Sequence, residues 1–175
     1  MPSLVIDMQE GLLSGEEKHD LADLVERIDD LARRVRRRGG CVVFIQHDGP
    51  AGNTFAPSTP GWALLSSIQR EPQDLLVHKT LNDAFFGTAL QSELTQLGAR
   101  RVLVTGWATD LCVDATLRSA AALGFKVVAV ADCHTVSARP HLSAEDIIEH
   151  PHWIRTNLLS QHAVEVTRAD EITLS

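Results

Sequence analysis

The sequence predicts an α/β fold, a mostly parallel sheet with helices on both faces. Two observations carry this expectation. Short apolar, β-branched runs alternate almost throughout with segments of helical periodicity. Several of those runs are continuously hydrophobic, as strands buried on both faces are. A third observation fixes the centre: Val102 to Val113 passes from such a run through Gly106 into an Ala- and Leu-rich helical segment.

Leu4-Val5-Ile6 reads as the first strand, ending at Asp7. A carboxylate there points into the crevice at the sheet's carboxyl edge, although an Asp at a strand end also serves as an Asx turn or helix cap. Glu16 to Arg38 reads as a helix, because Leu21, Leu24, Val25, Ile28, Leu31, Ala32 and Val35 share one face. Gly39-Gly40 ends it. The arginines at 33, 34 and 36 to 38 suit the helix's negative end and do not indicate nucleic acid. Cys41 to Ile45 is the second strand, followed by Gln46-His47-Asp48, with Cys41 in the core. Gly49 to Gly61 is a long Gly, Pro and Ser loop, in which Phe55 and the neighbouring Trp62 act as anchors.

Leu75-Leu76-Val77 is the third strand, which places Lys79 at a carboxyl end as Asp7 is, where an exposed lysine is the ordinary alternative. Asn82 to Phe86 is a turn and Gly87 to Leu97 a helix. Arg101 to Thr105 is the fourth strand, and Thr109 or Asp110 is placed to cap the helix running to Leu123. Cys112 then falls in that helix's first turn, where unpaired N–H groups and the helix dipole favour thiolate. A free Cys is often a small core residue, but a strand-to-helix crevice favours a nucleophile. Phe125 to Val130 is the fifth strand, Ser143 to Leu159 a helix and Ala163 to Val166 the last strand. Cys133 lies near a strand end with no helix cap behind it.

The 175 residues suit a single domain over 1–175. A formal net charge of −7 argues against nucleic acid as a partner. No run is long enough for a membrane span, and the strand close behind Met1 leaves no room for a targeting segment. Three widely spaced cysteines do not make a disulfide framework, so a cytoplasmic setting is expected.

Four motifs together resemble the isochorismatase-like cysteine hydrolase family: Val5-Ile6-Asp7-Met8-Gln9; Lys79 with Asp83-Ala84-Phe85-Phe86-Gly87-Thr88; Gly106-Trp107-Ala108-Thr109-Asp110-Leu111-Cys112-Val113; and Asp132-Cys133-His134-Thr135. The likeness spans nearly the whole chain. It implies a three-layer α/β/α fold with six parallel strands ordered 3-2-1-4-5-6. It also implies an Asp7–Lys79–Cys112 triad, a cis Trp107–Ala108 peptide, and an oxyanion hole from the Ala108 and Cys112 N–H groups. A Cys at 112 points within that family to C–N hydrolysis of an amide, ureide or lactam-like bond in a small molecule. Nicotinamidases of the family hold a metal with an Asp-x-His pair and a further His, and place an aromatic five residues after the catalytic Asp. Here the second strand ends Gln46-His47-Asp48-Gly49-Pro50 and position 12 is Leu12. No metal and no cofactor is therefore expected. Trp107, Phe86, His47 and Gln46 are the expected pocket lining, and a homodimer or larger assembly is expected by resemblance. The competing readings are a nicotinamidase with a degenerate metal site and a non-catalytic or redox-sensing member.

Overall fold

The computed structural model describes residues 1–174. Its centre is one six-stranded, all-parallel sheet ordered β3-β2-β1-β4-β5-β6. The strands are β1 (Ser3–Ile6), β2 (Val42–His47), β3 (Leu75–Lys79), β4 (Arg101–Trp107), β5 (Lys126–Thr135) and β6 (Glu165–Thr167). The helices are α1 (Glu10–Leu13), α2 (Leu21–Arg37), α3 (Leu90–Gln96), α4 (Cys112–Ala122) and α5 (Ala144–Thr156).

Adjacent strand residues face opposite layers. Leu4, Ile6, Val43, Ile45, Val102 and Val104 pack with α3 and α4 through Leu90, Leu94, Val113 and Leu117. Val5, Val42, Phe44, Leu103 and Val128 pack on the α2 side chains Leu24, Ile28, Leu31 and Val35. The three layers and the strand order are those the family resemblance implies.

Two predicted boundaries move by five residues. The first long helix starts at Leu21, not Glu16: Asp20 is left-handed (φ 52°), and Lys18 folds back to donate to the Ser14 and Glu16 carbonyls. The fifth strand runs on to Thr135, because a register shift between Val104 and Gly106 lets Gly106 and Trp107 pair with His134 and Thr135. The arginine cluster does more than suit the dipole. Arg34 donates to the Ala169 and Ile172 carbonyls, and Arg36 makes a two-pronged pair with buried Asp74.

Gly106 is dictated by the sheet. Its φ is +117°, and a Cβ there would lie 2.2 Å from the Ile6 carbonyl oxygen of the neighbouring strand. The order reverses between β1 and β4, and open α/β sheets bind ligands at the carboxyl ends beside such a switch point.

Candidate active site

Asp7 follows β1, Lys79 ends β3 and Cys112 opens α4, directly beyond β4. The sheet therefore carries all three side chains to the switch point. Asp7 takes a left-handed backbone conformation (φ 52°), which short polar side chains tolerate better than most. Its N–H still bonds the Ile45 carbonyl at 2.9 Å, so the carboxylate is anchored to the strand edge.

Lys79 Nζ is the hub. It lies 2.7 Å from Asp7 Oδ2, 3.4 Å from Cys112 Sγ, 3.0 Å from the Leu81 carbonyl and 3.3 Å from His47 Nδ1. Asp7 and Lys79 are buried and Cys112 is 9% exposed. The second carboxylate oxygen, Oδ1, is buried without a hydrogen-bond partner. On its outer side the thiol meets Asn82 Oδ1 at 3.5 Å.

Burial raises the Asp7 carboxyl above its ordinary value, against the pull of Lys79. It also lowers His47, with Lys79 acting in the same direction, so a neutral His47 ring accepts from the ammonium. The Cys112 thiol is pushed up to about 12 by burial and by the nearby Asp7 carboxylate, which together outweigh Lys79. This corrects the expectation of a standing thiolate: the resting group is a thiol beside a carboxylate that can take its proton.

Neither Thr109 nor Asp110 caps α4. Leu111 occupies the cap position without a side-chain bond, Thr109 Oγ1 meets His134 Nδ1 at 2.9 Å, and Asp110 pairs with both forks of Arg139. The Trp107–Ala108 peptide is cis. The Ala108 and Cys112 N–H groups donate to no backbone acceptor among the described residues.

The expected lining residues fare unequally. His47 touches the hub and Trp107 is half-buried beside Ala108, its ring 5.2 Å from the Lys18 ammonium. Gln46 is buried and donates to the Trp62 carbonyl, so it ties down the loop and does not line an open cleft. Phe86 is 69% exposed, and its neighbour Phe85 is the aromatic that packs inward. Two contributors were assigned no role from the sequence, although Gln9 closes the first motif. Gln9 brackets His47 and Trp62 by accepting from the His47 N–H and donating to both carbonyls. Asn82 reaches the sulfur from a turn held by Lys79 and Thr116. No group of three or more His, Cys, Asp or Glu side chains among the described residues is placed to hold a metal ion.

The family model described as the isochorismatase domain matches residues 3–152. A streptothricin hydrolase of Streptomyces noursei is 39% identical over 80% of this chain and 57% of its own length. The chain thus spans little more than half of that relative. A ureidoacrylate amidohydrolase of Variovorax paradoxus is 28% identical over 74% of this chain and 66% of its own. The crystal structure of an isochorismatase from Pseudomonas putida superposes with a TM-score of 0.89 at 21% identity, covering 98% of this chain and 89% of the other. That likeness speaks for the fold alone.

Proposed function

The chain belongs to the isochorismatase family, and from that membership we propose that it is a cysteine hydrolase cleaving a C–N bond of a small amide, ureide or lactam-like molecule. One observation carries the reading: a single buried ammonium contacts both a carboxylate, at 2.7 Å, and a thiol, at 3.4 Å. A structural ion pair needs no thiol, and a core cysteine needs no charged neighbours.

In the proposed reaction Cys112 gives its proton to Asp7 as the sulfur attacks the carbonyl carbon. The oxyanion that forms is met by the Ala108 and Cys112 N–H groups. Asp7 passes the proton to the leaving nitrogen, the C–N bond breaks, and a thioester remains. Asp7 then takes a proton from water as it attacks the thioester, the acid is released, and Asp7 returns the proton to the departing sulfur, restoring the carboxylate and the thiol. Lys79 stays charged throughout, holding Asp7 in place and balancing whichever neighbour is anionic. The proposal includes independence from metal, a cytoplasmic setting and a homodimer or larger assembly. Chelator would leave turnover unchanged, and a monomer mass in sedimentation at micromolar concentration would remove the assembly.

The test is a panel of small amides, ureido compounds and lactams, with streptothricin and ureidoacrylate taken from the relatives' names. Release of acid, amine or ammonia is followed beside Cys112→Ala. Turnover that survives Cys112→Ala would end the proposal.

A further inference from the structure

Behind the loop that joins β4 to α4 lies a polar cluster for which the proposed reaction has no use. Arg155, on α5, is 1% exposed. Its guanidinium donates through NH2 to the Thr109 carbonyl at 3.0 Å and contacts His134 Nε2 through NH1 at 3.0 Å. Its nearest carboxylate oxygen, Asp114 Oδ1, is 3.6 Å from Nε, while Asp114 bonds Arg118 through its other oxygen at 2.6 Å. His152 Nε2 approaches His134 Nε2 at 3.1 Å, and His134 Nδ1 meets Thr109 Oγ1 at 2.9 Å. One arrangement of protons satisfies every contact. A neutral His134 donates from Nδ1 to Thr109 and accepts at Nε2 from Arg155 and His152.

The cluster closes on a single residue. Thr109 is fully buried, and its N–H bonds the Thr135 carbonyl at 2.9 Å, its carbonyl Arg155 and its hydroxyl His134. The preceding carbonyl, of Ala108, accepts from the Leu111 and Val113 N–H groups at 3.0 and 3.1 Å. Of the backbone polar groups of Ala108 and Thr109, the Ala108 N–H alone has no hydrogen-bond partner, backbone or side chain, among the described residues. Arg155 and His134 thus hold the peptides on the far side of that N–H. Burying a guanidinium beside a carboxylate that it does not hydrogen-bond, Asp114 at 3.6 Å, is costly, and a simple packing role would be filled better by an apolar side chain.

We infer that Arg155 is a positioning residue: through Thr109, and braced by His134, it holds the Trp107–Cys112 loop so that the Ala108 N–H stays aimed at the developing oxyanion. Arg155 lies beyond the 3–152 span that the family model matches. The inference rests on the hydrolase proposal, since it needs acyl chemistry at Cys112.

Two reagents separate the loop's work from the thiol's. Iodoacetamide alkylates the sulfur by displacement and forms no oxyanion. p-Nitrophenyl acetate acylates it through a tetrahedral oxyanion, forming a thioester and expelling p-nitrophenolate. Both rates are measured on Cys112 in the intact chain, by mass spectrometry and by the nitrophenolate burst. Arg155→Met is expected to keep the alkylation rate and to lower acylation roughly ten- to hundredfold, somewhat less than deleting an oxyanion donor outright. Arg155→Lys keeps the charge but lacks the planar fork that reaches Thr109 and His134 together, so an intermediate loss is expected. It also carries the test if the Met variant does not fold. Acylation and alkylation that are both unchanged, or that fall by one common factor, would overturn the inference. A wild-type Cys112 that alkylates but is never acylated would instead strike the hydrolase proposal itself.

Discussion

Removing the carboxylate beside the sulfur is expected to make Cys112 a better target for alkylation while abolishing turnover. Asp7 and Cys112 both contact Lys79 Nζ, at 2.7 and 3.4 Å, so they lie within about 6 Å of each other. At that separation and an effective dielectric constant near 20, one unit charge shifts a neighbour by about 3 kcal/mol, or about two pKa units. The thiol, held at about 12, would fall to about 10 in Asp7→Asn. Its thiolate fraction at neutral pH would rise about a hundredfold. A less basic thiolate is a weaker nucleophile, with a Brønsted slope near one half, so the net gain in alkylation is about tenfold. Lys79→Met removes the opposite charge, so alkylation there should slow. Turnover should collapse in both variants, by on the order of a hundred- to ten-thousand-fold, with the double variant little worse than Asp7→Asn. The assay is iodoacetamide labelling against pH, each cysteine resolved by mass spectrometry, beside the rate on any hydrolysed amide. Slower alkylation in Asp7→Asn would refute the electrostatic reasoning, because it would mean that the carboxylate already draws the proton away without substrate.

The pH dependence of kcat/KM tests the same carboxylate. Asp7 must be ionised to receive the thiol proton, and burial raises its pKa, so activity should fall with falling pH along a limb above the ordinary value of 3.8; a limb at or below it would count against Asp7 as base. Gly106→Ala drives a Cβ to within 2.2 Å of the Ile6 oxygen between the two central strands. A loss above about 4 kcal/mol or failure to fold is expected, and an unchanged Tm would refute the close approach. Arg36→Ala leaves the Asp74 carboxylate buried and without its two-pronged partner, at a cost of about 3 kcal/mol, or a Tm lower by about 10 °C. Calorimetry showing no shift would mean that Asp74 finds water instead.

The strands were legible because an apolar β-branched run flanked by polar residues has few other uses in a chain this size. The carboxyl ends of the first and third strands and the start of the helix after the fourth were legible too, which is why Asp7, Lys79 and Cys112 could be placed on one edge before any coordinate. What local pattern could not show were partners chosen at long range. Arg155 reads as one more cation near the end of a helix, and its value lies in Thr109, 46 residues away. His134 lies, by sequence, beyond the fifth strand's expected end at Val130. It belongs inside the strand because the shift at Gly106 extends the pairing. Gln9 and Asn82 are single polar residues whose orientation depends on the loop and turn that close around them. The Gly49–Gly61 loop was legible as a loop, and Trp62 as its anchor. Its seat, with the indole stacked on His78 and donating to Asp48 at 2.8 Å, was not.

The thiol is the instructive failure, and its cause is charge balance. A helix N-terminus and a lysine both favour thiolate, and the sequence placed Asp7 on the same edge without showing how deeply the three groups are buried. The structure adds burial and a carboxylate on the same ammonium. With Asp7 ionised, Lys79 charged and Cys112 protonated, the buried trio is neutral. Releasing the thiol proton to solvent would leave a net negative charge where water is scarce, which is why the thiol is held so high. Moving the same proton to Asp7 keeps the trio neutral. It also relieves the carboxylate, whose own pKa burial has raised. The rise at Asp7 makes it a better acceptor, and the rise at the thiol keeps the proton on sulfur at rest. Under the proposed mechanism the site therefore stores no reactive thiolate and makes one when a carbonyl arrives to take the sulfur's electrons. That order of events is what the Asp7→Asn comparison detects. If the carboxylate holds the proton on sulfur at rest, its removal frees the thiolate and still stops the reaction.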